Sequence, residues 1–261
     1  MWRGGDSMKN RNGVKWSREE TILAFDLYCR TPFGKISQNN PAIIELANLL
    51  GRTPGSVGLK MHNLAHYDPE LQKRNVMAMS HGSKLDGEIF TEELAYQAQK
   101  IKAKMQHISI QEIIDLGDID ELPPGEYKEQ LLKSRVGQYF FRMAVLNSYS
   151  NRCCITGMSK PELLIASHIK PWSVCDKHTE RTNPSNGLCL NSLHDQAFDR
   201  GLITLDKSYG IIISKQLKDV DMDQRTREWF FGYEGKQILL PDKFLPGKDF
   251  IEYHNDVVFL G

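Results

Sequence analysis

The chain has 261 residues, 40% of them hydrophobic and 25% charged, with formal charges that cancel to zero. That length and balance suit one large domain or two small ones with a real core, and exclude a globally basic nucleic-acid binder. No apolar run is long enough to span a bilayer, and the polar start MWRGGDSMKNRNG lacks a signal-like apolar stretch, so a cytoplasmic protein with no membrane partner is expected.

Charge is unevenly spread. Lys133 to Lys218 holds twelve Lys and Arg against six acids, whereas Glu112 to Glu129 holds seven acids against one lysine. A locally basic C-terminal half suits a polyanionic partner. The five cysteines, Cys29, Cys153, Cys154, Cys175 and Cys189, show no paired C-x-x-C spacing and read as structural thiols of a reduced chain.

In chain order, WSREETILAFDLYCR opens with Ser17 and Glu20 at capping-box spacing, followed by a helical apolar stripe. PAIIELANLLG has Pro41 at a first helical position and Gly51 at its end. A third helix is expected after Thr53-Pro54, ending before Asp68-Pro69. Residues 14–68 thus resemble a Myb-like or homeodomain-like helix-turn-helix unit, with Arg52, Ser56 and Lys60 on its third helix. That resemblance implies Arg52 and Lys60 as DNA contacts. Three ordinary packing helices would produce the same pattern.

Residues 90–115 read helical again, and Pro123-Pro124-Gly125 is the clearest break. The expected division is a helical domain over 1–116, a linker over 117–130, and a second domain over 131–261 with a C-terminal extension. Within the last, SRVGQYFFRMAVLNSYS is helical, ELLIASHI a strand, LCLNSLHDQAFDRG a short helix closed by Gly201, and LITLDKSYGIIIS a hairpin. KQILLPDKFLPGKDFIEYHNDVVFLG is expected to add a strand and a final helix around His254.

His168 then ends a strand, Asn186 opens the segment leading to a helix, and His194 lies on that helix. The segments YSNRCCITG, ASHIKPW, NGLCLNSLH and FDRGLIT carry these residues in register. Over roughly residues 133–214 the chain resembles the HNH, or ββα-metal, nucleases, and within them the bacterial restriction-endonuclease branch. The fold class expected is α+β, a helix-turn-helix-like domain followed by a ββα-metal domain.

The resemblance implies a metal-dependent DNA endonuclease of a restriction or defence system. His168 would be the general base and His194 a ligand to one divalent ion, Mg²⁺ or Mn²⁺. Asn186 would complete the catalytic set by bracing the loop. A neutral imidazole suits proton abstraction from water near pH 7. Many family members place Asp or His immediately before the base, where this chain has Ser167, and Asp199 is a candidate extra ligand. Arg142, Lys170 and Arg200 are candidate phosphate contacts. Cys154 stands where some HNH domains carry zinc-binding turns, but Gly157 occupies the partner position, so no structural zinc is expected. Double-strand cutting would be easiest in a homodimer. Ser167 keeps one alternative alive, a catalytically silent HNH scaffold that binds DNA or regulates; RNA as substrate ranks lower.

Overall fold

The computed structural model describes residues 13–65, 92–114 and 125–261. Apart from Glu92 and Glu93, the described residues up to Val136 form one compact unit, and those from Gly137 onward form a second. Of the expected linker, residues 117–124 lie outside the described residues, and Glu126 to Gln130 already belong to a helix. The expected end of the third helix before Asp68-Pro69 also lies outside them.

The first unit contains α1 (Arg18–Cys29), α2 (Pro41–Leu50), α3 (Pro54–Ala65), α4 (Glu92–Gln106) and α5 (Ile110–Ile113). Ser17 and Glu20 close a reciprocal capping box at the start of α1. Gly51 ends α2 at φ +65°, a left-handed turn that glycine adopts without steric cost. Ile22, Tyr28, Ile43, Val57 and Met61 form the shared core of the first three helices.

α6 (Glu126–Ser148) runs on into the second unit. There β1 (Leu164–His168) and β2 (Gly187–Asn191) pair antiparallel, with Leu164 opposite Asn191 and His168 opposite Gly187. Gly187 is needed where it stands, because a Cβ there would collide with Val145 and Phe141 of α6. The chain then turns directly into α7 (Ser192–Asp199), capped by the Asn191 side chain, which accepts from the backbone of Leu193 and His194. This is a ββα unit.

A hairpin of β3 (Ile203–Leu205) and β4 (Ile211–Ile213) follows, then α8 (Lys215–Lys218), α9 (Gln224–Phe231), α10 (Lys248–Tyr253) and a π-helical turn, His254–Val258. The strand expected at KQILLP is reduced to one bridge between Gly210 and Gln237. Gly201 terminates α7 at φ +68°, with Val258 packed against the position a Cβ would occupy. The C-terminal turn is therefore built into the ββα unit.

Candidate active site

β1 delivers two neighbouring side chains to different surroundings, as the twofold alternation of a strand requires. The imidazole of His168 stacks on Phe141 of α6, with centroids 3.7 Å apart, and Trp172 lies edge-on at 5.4 Å. Its Nε2 is 2.9 Å from the Arg181 carbonyl, which can only accept, so Nε2 carries the proton and Nδ1 the lone pair. Burial holds the imidazole down at about 4, against that hydrogen bond, so the ring is neutral at pH 7.

The loop supplying that carbonyl is braced from within. Asn186 is fully buried, accepts from the Lys170 backbone at 2.8 Å, and donates to the Lys170 carbonyl at 3.2 Å and to Cys175 Sγ. Glu180 closes the same loop, accepting from Lys170 Nζ at 2.6 Å and from the Asp176 backbone at 2.8 Å.

Ser167 faces the other way. Its hydroxyl is buried without a hydrogen bond of normal geometry, and lies close enough to Asp195 and Asp199 for its O–H to favour their ionised forms. The two carboxylates sit one turn apart on α7. Burial pushes Asp195 up. Asp199 reaches the surface, yet the protein around it and then the Asp195 charge raise it to about 6. Two carboxylates that repel each other beside an unsatisfied hydroxyl make an all-oxygen donor set short of positive charge. Among the described residues, no group of three or more His, Cys, Asp or Glu forms a ready metal cage.

His194 is not part of this set. It is 1% exposed, with Nδ1 2.8 Å from Asn191 Nδ2 and Nε2 2.8 Å from the Trp229 carbonyl. Burial lowers its basicity too. The remaining expected residues scatter. Arg142 donates to the carbonyls of Leu164 and Pro161, anchoring β1 to α6. Lys170 is paired with Glu180, and its ammonium lies 5.3 Å from the centre of the Tyr253 ring. Arg200 is exposed at the end of α7, where its charge favours ionised Asp199. In the first unit Arg52 is buried, paired with Glu20 at 2.9 Å and stacked on Trp16, and Lys60 is buried beside the same ring. Both cations are placed to hold the fold.

Sequence reasoning missed Asp195 and treated Ser167 only as a departure. The available signal was the i, i+4 spacing in HDQAFD, which puts both carboxylates on one helix face.

Residues 153–206 match the HNH endonuclease family. No curated protein matches the chain. The matched stretch spans β1, β2, α7 and β3, and contains His168, Asn186, Ser167 and both carboxylates.

Proposed function

We propose that this chain, whose residues 153–206 are an HNH endonuclease domain, hydrolyses DNA phosphodiesters with His168 as general base and Asp195 and Asp199 as the holders of a divalent cation. The observation that carries the reading is the Ser167 hydroxyl facing two raised carboxylates, one residue from a neutral histidine with a defined lone pair.

The donor set fits a hard cation such as Mg²⁺ or Mn²⁺, which prefers carboxylate and hydroxyl oxygens and keeps open positions for water and phosphate. When bound, such an ion neutralises phosphate charge and stabilises the leaving 3′ oxygen. The chain's own residues do the rest. Asp195 and Asp199 would hold the ion from one face of α7, with Ser167 offering its hydroxyl from β1. Phe141 and the Arg181 carbonyl fix the His168 ring, leaving Nδ1 to take a proton from water. Nearby phosphate charge would raise the basicity of that buried ring. Asn186 and Glu180 keep the carbonyl in place. Arg200, exposed beside Asp199, would attract the DNA backbone.

The motif register supports the restriction branch and hence a defence role. The first three helices would bring the nuclease to DNA in a helix-turn-helix manner, and two copies related by a twofold axis would address both strands. The test is cleavage of supercoiled plasmid by purified protein with Mg²⁺, Mn²⁺ or chelator, beside His168→Ala and Asp199→Asn. Metal-dependent cutting abolished by either substitution supports the reading. Equal cutting by wild type and both variants would overturn it. Wild type that binds DNA without cutting it in any metal would favour the silent scaffold.

A further inference from the structure

We infer that His194 is a positioning residue that ties α9 to the carboxylate-bearing α7, and that it lies outside the coordination shell of the cation. The second half rests on the assignment of that cation to Asp195 and Asp199.

The hydrogen bonds leave the ring no spare valence. The Trp229 carbonyl accepts only, so Nε2 bears the proton and Nδ1 has the single lone pair. Asn191 Oδ1 already accepts from the backbone of Leu193 and His194, so its amide nitrogen, 2.8 Å from Nδ1, donates to that lone pair. A metal ligand would have to surrender this bond. It would also have to leave an enclosure formed by Trp229, Phe230 and Tyr233, whose rings lie 5.5–6.2 Å from the imidazole centre.

Helix geometry agrees. Successive residues are about 100° apart around an α-helix, so His194 points well away from the face shared by Asp195 and Asp199. The ring faces α9, a helix that lies beyond the family match and buries only Phe230. One imidazole thus links the matched ββα unit to the following segment and sets the rotation of α7, which aims the two carboxylates.

The test compares His194→Gln, His194→Ala, Asp195→Asn and Asp199→Asn. Mn²⁺ binding is titrated calorimetrically without DNA, and amide hydrogen exchange is followed across 224–231. In His194→Gln the side-chain amide can still donate to the Trp229 carbonyl. Its Mn²⁺ affinity is expected to stay near wild type, while Asp195→Asn and Asp199→Asn each lose at least about tenfold. His194→Ala should accelerate exchange across 224–231 with or without metal, and His194→Gln should restore protection. The inference is overturned if His194→Gln weakens Mn²⁺ binding as much as Asp199→Asn, or if His194→Ala leaves protection of 224–231 unchanged. Should the two aspartate variants keep wild-type Mn²⁺ affinity, the cation assignment fails instead, and the exchange data alone decide the tie between α7 and α9.

Discussion

Ser167 and His168, neighbours in β1, serve opposite sides of the strand: the hydroxyl meets Asp195 and Asp199 of α7, and the imidazole stacks on Phe141 of α6. On the proposed roles, two adjacent residues would separate cation holding from proton abstraction, so that each can be altered alone.

His168→Ala is expected to lower plasmid cleavage by about 10²–10⁴-fold, the usual contribution of a positioned general base. Mn²⁺ binding should persist, because the ring belongs to the other face of β1. Cleavage kinetics with calorimetry on the same protein check both halves.

Ser167→Asp would place a third carboxylate against two that already repel each other. The metal-free protein should melt lower than wild type, and Mn²⁺ should raise its melting temperature by more than it raises that of wild type. Thermal scans in chelator and in Mn²⁺ measure the gap. An unchanged gap would remove Ser167 from the cation site.

His254 provides a pH signature. Its ring stacks on Phe198 at 3.8 Å, its Nε2 donates to the Phe198 carbonyl at 3.1 Å, and burial lowers it from 6.5 to about 4. A pKa depressed on folding means that protons bind the unfolded chain better. The stabilisation from keeping this ring neutral is therefore complete above pH 6.5 and is lost as pH falls towards 4. It amounts to up to about 3 kcal/mol at roughly 1.4 kcal/mol per unit. His254→Asn should be less stable at pH 7 yet lose less between pH 7 and 4.5, as urea denaturation at both values would show.

Gly201→Ala should destabilise the second unit by more than the roughly 1–2 kcal/mol of a left-handed alanine, since the added methyl also meets the Val258 carbonyl. Chemical denaturation measures the loss. Released packing of the C-terminal turn would appear as faster exchange at residues 254–258.

Much of the local structure was legible because its causes are local. The Ser17–Glu20 box, Pro41 and Gly51, and the helix end at Gly201 are short-range hydrogen-bonding and dihedral preferences, readable within a few residues, although Leu188–Asn191, read into that helix, is strand. The same holds for the register of His168, Asn186 and His194, which announced the ββα unit that the HNH endonuclease match also covers. The role of each charged or polar group was not legible, because it depends on partners distant in sequence. Arg52 looked like a DNA contact until Glu20, 32 residues away, took its guanidinium.

The sequence by itself thus determined most of the helices with their caps and the chemical kinds of group near the site, since spacing, caps and periodicity are properties of the chain, whereas Leu188–Asn191, read as helix, became strand through its pairing with β1. Only the tertiary structure decided which groups face one another. His194 turns to Trp229 and Asn191, while Asp195, one residue on, turns to Ser167. The physical reason is the rotation of α7: a step of about 100° between adjacent residues separates them, and packing between elements far apart in the chain sets where that rotation stops.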